Sequence, residues 1–333
     1  MAVHMYLRTS LPFSFAPAQA VTPAKEFVRA VDDVSFSIAP GEILGFVGES
    51  GAGKSLTGMA ILGLLDPPGR VAGGEIRLGE RRIDTLSQGE MRSVRGKQIG
   101  AVFQDPLMSL NPLLQIGDQL TETIRTHLPV SEDQARERAL GLMRAVGIPA
   151  PEARFTAYPH QFSGGMRQRI VIALALCAEP ELVVADEPTT ALDVSIQAQV
   201  LQLLRQLCRE HATAMLLVTH DMGVIAETAD RVAVMYAGRI VEIGPVADVI
   251  RNPVHPYTRG LLGAFPSLAP VTGPLAQIDG AMPRLNARPP GCAFNPRCPR
   301  AIDRCRVESP RVETRNQREV ACWVTPVQAE LSA

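Results

Sequence analysis

The stretch Gly48-Glu49-Ser50-Gly51-Ala52-Gly53-Lys54-Ser55 follows the pattern G-x-x-x-x-G-K-[ST] and decides the fold class. The apolar run over residues 43–47 predicts a buried strand before it, and residues 56–65 predict a helix after it. A strand, a glycine-rich loop and a helix in this order let backbone N–H groups surround an anion. We therefore predict an α/β fold with a phosphate-binding loop. Lys54 is expected to reach the β- and γ-phosphates, and the Ser55 hydroxyl to ligate Mg²⁺.

Composition narrows the possible functions of the 333-residue chain. The formal net charge is -1, so the protein has no global basic field that would attract nucleic acid. No apolar stretch approaches the roughly 20 residues of a membrane-spanning helix. We therefore expect no nucleic-acid partner, and we expect any membrane role to act through other proteins.

The N-terminal residues 1–20 faintly resemble a signal peptide, but two prolines interrupt their apolar part. We interpret them as an irregular extension before a nucleotide-binding domain at 21–265. An aromatic ring upstream of the phosphate loop could stack on adenine, and Phe13, Phe15 and Phe27 are the candidates. The favoured interpretation of each of these rings is a packing residue.

The segments around the phosphate loop predict an antiparallel β-layer and a helical insertion. Apolar residues alternate at Val34, Phe36 and Ile38, and residues 75–83 read as a hairpin. Beyond a strand at 99–103, residues 105–162 become helical, with a capping-box pattern at 131–134. The resulting prediction is a P-loop core bordered by an antiparallel subdomain and carrying a helical insertion.

Several polar residues follow predicted strands or open predicted helices. Asp186 and Glu187 end the apolar run 182–185, and in a P-loop enzyme such an aspartate supports Mg²⁺ while the next carboxylate polarises water. A pair of acids there could instead cap a helix. His220 ends the strand predicted at 215–219, where open α/β sheets place ligands, so we expect it to contact the γ-phosphate. Ser163-Gly164-Gly165 opens a helix and predicts a second anion-binding terminus.

Taken together, these motifs resemble the nucleotide-binding subunit of an ABC transporter, over roughly residues 30–265. The phosphate loop resembles the family's Walker A motif, and residues 182–187 resemble Walker B. Four further motifs follow the family's order: the Q-loop Gln104, the signature Ser163-Gly164-Gly165-Met166, the D-loop Ala191-Leu192-Asp193 and the switch histidine His220. Met166 stands where the commonest form of the signature has Gln.

The resemblance implies how such a protein would work. Two ATPase subunits share each site: one supplies Walker A, Walker B and the histidine, and the signature of the other covers the γ-phosphate. Glu187, His220 and Gln104 are the implied catalytic residues. Gln104, Asp186 and Ser55 are implied around Mg²⁺, and Asp193 near the nucleotide. The partners implied are a second ATPase subunit, two transmembrane permeases and, indirectly, an extracytoplasmic peptide-binding protein. The chain would lie peripherally on the cytoplasmic face of the plasma membrane.

Four further stretches resemble the dipeptide/oligopeptide importer branch, and its D-type more than its F-type ATPase. They are residues 103–106, 109–112, 158–161 and 255–257. The implied function is ATP hydrolysis that energises peptide import with an F-type partner. A same-branch importer of nickel or glutathione stays open, as does a non-transport ABC ATPase. The latter usually has two cassettes or a long coiled-coil insertion, which this sequence lacks.

The C-terminal extension, residues 266–333, holds four of the six cysteines, while Cys177 and Cys208 are expected to be buried thiols. Cys292, Cys298, Cys305 and Cys322 are separated by five, six and sixteen residues. Such a cluster in an intracellular chain argues against disulfides and suits Zn²⁺ or an iron–sulfur centre. The spacing is that of neither ordinary zinc knuckles nor ferredoxins. The resemblance to the importer branch implies a 4Fe-4S cluster, with zinc or no metal as alternatives.

Overall fold

The computed structural model describes residues 3–12, 27–190, 192–264, 277–315 and 317–324. Its strands are β1 (Val3–Pro12), β2 (Phe27–Ile38), β3 (Ile43–Val47), β4 (Arg70–Leu78), β5 (Arg81–Arg82), β6 (Ile99–Val102), β7 (Leu182–Asp186), β8 (Ala214–Val218), β9 (Arg231–Tyr236), β10 (Arg239–Pro245), β11 (Glu313–Arg315) and β12 (Arg318–Val320). Its α-helices are α1 (Lys54–Leu62), α2 (Gln88–Val94), α3 (Pro106–Ser109), α4 (Ile116–His127), α5 (Glu132–Ala145), α6 (Pro151–Arg154), α7 (Gly164–Leu176), α8 (Val194–Glu210), α9 (Met222–Thr228), α10 (Val246–Arg251), α11 (Pro256–Gly263) and α12 (Asp303–Val307).

The chain forms two compact units, each made of several separate stretches of the sequence. The first contains residues 1–37, 44–84 and 219–333, and the second contains 38–43 and 85–218. The phosphate loop and the C-terminal extension therefore belong to the same unit. No helix within the described ranges is both long enough and apolar enough to span a membrane.

Strands of the first unit carry the phosphate loop. All five residues of β3 are buried, and β3 pairs in parallel with β9. Strand β10 returns antiparallel to β9, and β12 and β11 follow in turn. A separate four-stranded sheet has the order β2-β1-β4-β5. The pairing of β4 with β5 confirms the predicted hairpin.

Residues 3–12 differ from the irregular extension expected there. They form β1, which pairs antiparallel with β4 from His4 opposite Arg77 to Ser10 opposite Arg70. The partner strand lies some sixty residues away in the chain, so local pattern alone did not indicate this pairing.

The second unit is a parallel sheet covered by helices. Strands β6, β7 and β8 lie side by side in parallel. The apolar helix α7 has buried residues on several of its faces. Helices α3 to α6 form the predicted insertion. The Ser131 side chain caps α5 by accepting the Gln134 N–H, and the Gln134 side chain accepts the Ser131 N–H, which confirms the capping box.

The C-terminal extension packs more tightly than its proline-rich sequence suggested. Phe294 is buried, and its ring lies 5.2 Å from Tyr236 and 5.4 Å from Tyr257. Strand β12 pairs with β10 through Val320 opposite Glu242. The extension thus joins the hydrophobic core and the sheet of the unit that holds the phosphate loop.

Candidate functional site

The phosphate loop occupies the turn between β3 and α1. Gly48 has a φ of 154°, and a Cβ atom there would collide with the carbonyl oxygen of Met235. Gly53 is the N-cap of α1 in a left-handed conformation and supplies no side-chain cap. The loop therefore presents backbone and a helix N-terminus, the combination that binds phosphate. Only glycine permits the close approach at residue 48.

Lys54 is buried at the start of α1 although it is a lysine. Its Nζ donates hydrogen bonds to the carbonyl oxygens of Gly48, at 2.7 Å, and Glu49, at 3.1 Å. The ammonium therefore lies over the loop, where a bound phosphate would be met by its positive charge. Ser55, the next residue, is exposed and offers a hydroxyl oxygen of the kind Mg²⁺ binds.

Glu187 stands at the carboxyl end of β7, beyond Asp186. Its φ of 46° is in the left-handed region, which a glutamate adopts only at a local energetic cost. The N–H of Glu187 donates to the Val218 carbonyl at 2.8 Å, which holds this conformation. Strained, well-held residues of this kind concentrate at functional sites.

Two side chains of the same unit contact the Glu187 carboxylate. The Thr190 hydroxyl donates to Oε2 at 2.7 Å, and Gln104 Nε2 lies 3.3 Å from the same atom. The structure thus brings together the predicted Q-loop glutamine and the predicted water-polarising carboxylate. Sequence reasoning missed Thr190, although its place three residues after Glu187 is compatible with a local hydroxyl contact.

The signature and D-loop residues also meet within the second unit. Ser163 is the N-cap of α7, and its hydroxyl accepts the Met166 N–H at 3.4 Å. A Cβ atom on Gly164 would lie 3.8 Å from the Leu192 side chain. Asp193, the N-cap of α8, is exposed, as is Ser163.

His220 follows β8 and is exposed, in the same unit as the phosphate loop. Three phenylalanines are the candidates for adenine stacking. Phe13 and Phe15 lie outside the described residues, as does the side chain of Phe27 and, from the D-loop, Ala191.

The four C-terminal cysteines approach one another. Burial and, to a smaller extent, the charges of Cys292, Cys298 and Cys305 raise the pKa of Cys322 to about 11. The Cys292 N–H donates to the Cys305 carbonyl at 2.8 Å. Yet no group of three or more His, Cys, Asp or Glu side chains in the described ranges is arranged to hold a metal ion. The structure therefore gives no support to the predicted iron–sulfur site.

Backbone N–H groups nevertheless point at three of these sulfur atoms. The N–H of Val324 lies 3.3 Å from the Cys322 sulfur. Burial raises the pKa values of Cys292 and Cys298, and hydrogen bonds from the N–H groups of Phe294 and Arg300 oppose that rise. Each donor stands two residues after its cysteine. Hydrogen bonds of this kind favour the thiolate form.

The two cysteines of the second unit are different. Burial raises the pKa of Cys177 to about 11 and that of Cys208 to about 12. Both thiols are fully buried, which confirms the expectation that they are buried thiols.

The phosphate loop, the buried lysine and the strand-end carboxylates define a P-loop nucleotide hydrolase. Comparison with known proteins narrows this class. Residues 31–190 match the ABC transporter family, and residues 241–305 match the C-terminal region of oligopeptide/dipeptide transporters. The chain belongs to the ATP-binding subunits of ABC transporters and is an ATP hydrolase.

Individual relatives support the assignment. The dipeptide transport ATP-binding protein DppD of Bacillus subtilis is 48% identical over 91% of each chain. DppD of Escherichia coli is 46% identical over 85% of this chain and 86% of its own length. Among solved structures, a dimeric post-hydrolysis state of the ATP-binding cassette MJ0796, bound to ADP and Pi, has a TM-score of 0.62 at 27% identity. It covers 73% of this chain and 98% of its own.

Proposed function

We propose that this chain powers the import of dipeptides or oligopeptides from the cytoplasmic face of the plasma membrane. The observation that carries the proposal is the match of residues 241–305 to the oligopeptide/dipeptide C-terminal region, since this region lies beyond residues 31–190, which match the general ABC transporter family. Relatives named for dipeptide and oligopeptide transport point the same way.

Uptake measurements test the substrate class. Cells with the chromosomal gene replaced by the Lys54→Ala variant are expected to lose uptake of labelled dipeptides or pentapeptides, while cells with the unaltered gene retain it. Labelled nickel and glutathione serve as the competing substrates. Loss of nickel or glutathione uptake with intact peptide uptake would contradict the proposal.

The chemistry proposed for the site divides among its residues. The phosphate loop and Lys54 bind the triphosphate, and Ser55 and Asp186 supply oxygen atoms for Mg²⁺, which prefers such ligands. The bound ion would neutralise charge on the phosphates. Glu187 accepts a proton from the attacking water, and Gln104 and Thr190 orient its carboxylate. His220 contacts the γ-phosphate.

A second ATPase subunit of the F-type is the proposed partner. Ser163 and Gly164 are exposed at the N-terminus of α7, so their groups are accessible to a neighbouring subunit. Val194, next to the D-loop, leaves 83% of its surface exposed, as expected of an apolar residue that a partner covers. The signature of each subunit would then cover the γ-phosphate bound by the other.

The permease contact is proposed at the start of the helical insertion. Leu107, Met108 and Leu113 follow Gln104 closely and are 55%, 85% and 82% exposed. A cluster of exposed apolar side chains is typical of a protein interface. Substituting Met108 by Glu is expected to release the chain from membranes containing the permeases without weakening ATP binding. Unchanged membrane association would contradict this contact. The peptide-binding protein would act on the permeases from the other side.

For the extension, we propose that Cys292, Cys298, Cys305 and Cys322 hold one 4Fe-4S cluster with a structural role. The proposal rests on the number and spacing of these cysteines in the sequence. N–H groups directed at Cys292, Cys298 and Cys322 would favour their thiolate forms. Four thiolates are the usual ligands of such clusters.

Anaerobic purification tests this assignment. The protein is expected to be brown, with about four irons per chain, and each Cys→Ser change is expected to lower the iron content. The Cys208→Ser variant is the matched control, because Cys208 is a buried thiol of the second unit and is not one of the four cysteines of the extension. Colourless protein with one zinc would decide for zinc, and metal-free protein with a protease-resistant extension would exclude both.

A further inference from the structure

An ion pair joins the C-terminal extension to the phosphate loop. Nη1 of Arg297 lies 3.0 Å and 3.1 Å from the two carboxylate oxygens of Glu49, the second residue of the loop. The Arg297 side chain is 7% exposed and that of Glu49 is 29% exposed. The pair is therefore largely shielded from water, where charge interactions are stronger than on an open surface.

Contacts other than that with Glu49 also orient Arg297. Its Nε donates to the Asp279 carbonyl at 2.8 Å, and its Nη2 donates to the Ile278 carbonyl at 3.2 Å. The Tyr236 hydroxyl lies 3.4 Å from Nη1. These contacts fix the guanidinium group in place, so that it presents a preorganised positive charge to the loop.

Glu49 is also held through its backbone. Its N–H donates to the hydroxyl of the buried Tyr257 at 2.9 Å, and its carbonyl accepts from Lys54. The Tyr257 ring packs against Tyr236 and the extension's Phe294. The side chain, the N–H group and the carbonyl oxygen of Glu49 thus each make a hydrogen bond. Two of the three partners, Arg297 and Tyr257, lie outside the ATPase motifs.

The charge of Glu49 makes this arrangement consequential for ATP. A carboxylate in a loop that binds a highly negative triphosphate opposes binding by like-charge repulsion. Arg297 offsets that charge. We propose that Arg297 is a positioning residue of the ATP site, which acts through Glu49 to set the charge and geometry of the phosphate loop. The C-terminal extension thereby completes the nucleotide site.

Binding of Mg-ATP to the purified full-length chain, measured by calorimetry, tests the proposal. Arg297→Gln is expected to raise the Kd about tenfold, the size expected for loss of a hydrogen bond between charged groups. Turnover at saturating ATP in the assembled transporter should change much less. Arg297→Lys keeps the charge and should recover most of the affinity.

Neutralising Glu49 distinguishes an effect of the Arg297 charge on ATP binding from an effect of Arg297 on packing. Glu49→Gln is expected to lower the Kd about threefold, because the positive Arg297 then faces the triphosphate without a counter-charge. Adding Glu49→Gln to Arg297→Gln should restore most of the lost affinity. This reversal depends on charge and would not follow from damage to packing.

The matched control is Arg304→Gln. Like Arg297, Arg304 immediately precedes a cysteine of the extension, but its ion pair with Glu308, at 2.8 Å, stays within the extension. Its Kd should equal that of the unaltered chain. The proposal is overturned by a folded Arg297→Gln variant with unchanged Kd, by a loss that Glu49→Gln does not reverse, or by an equal loss in Arg304→Gln. Should Arg297→Gln fail to fold, a Kd for Glu49→Gln at or above that of the unaltered chain overturns it.

Discussion

Replacing Glu187 by Gln should stop turnover while leaving the protein folded and able to bind ATP. The carboxylate accepts the Thr190 hydroxyl at 2.7 Å and Gln104 at 3.3 Å, both on Oε2. A glutamine keeps one oxygen acceptor at this place but cannot accept a proton. Removing the general base costs about 10²- to 10⁴-fold in rate, or about 3–5 kcal/mol in the activation free energy. The free energy of unfolding should change by less than about 1 kcal/mol, because the main hydrogen bond survives.

ATP turnover in the assembled transporter, Kd for Mg-ATP and thermal unfolding together measure the three effects. The control is Glu181→Gln, at the opposite end of β7. Glu181 accepts a hydrogen bond from Gln98 at 3.0 Å. The control therefore also replaces a glutamate carboxylate that is hydrogen-bonded to a glutamine. Its turnover should stay near that of the unaltered chain. A Glu187→Gln variant with more than a tenth of the normal turnover would refute the assignment of Glu187 as the base.

Three further outcomes are expected. Lys54→Ala should weaken Mg-ATP binding itself, by tenfold or more in Kd, because it removes the loop's buried ammonium; unchanged Kd would contradict this. Ser163→Ala, assayed in dimers with only one functional site, should impair the partner's site and spare its own. Stability should fall with acid by up to about 1.4 kcal/mol per pH unit between about pH 6.5 and 3. Burial lowers the pKa of His255 from 6.5 to about 3, so protons bind the unfolded chain preferentially there and full stability is present only above that range. The His255→Asn variant can still cap the Tyr257 N–H. Denaturant titrations of this variant should show a smaller loss of unfolding free energy per pH unit; an equal loss would assign the pH dependence to other groups.

The extension's contribution to the phosphate loop could not be read from the sequence. Glu49 and Arg297 are 248 positions apart, and a single ion pair leaves no periodic pattern in either segment. The strand β1 escaped prediction for a similar reason, since its partner β4 is distant in the chain. The cysteines were found by composition, but whether four thiols are arranged for a metal depends on atomic positions.

By itself, the amino-acid sequence determined the phosphate loop, the carboxylates at the end of β7, the capped helices and the family. Each of these depends on residues close together in the chain, where backbone geometry and hydrogen bonding restrict which residue types can serve. Gly48 is the clearest case, because its conformation excludes other side chains. The tertiary structure alone decided that Gln104 meets Glu187, and that Arg297 and Tyr257 hold Glu49. These contacts depend on how strands and loops pack. Packing brings together residues from distant parts of the chain, and their positions in the sequence do not indicate that they are in contact.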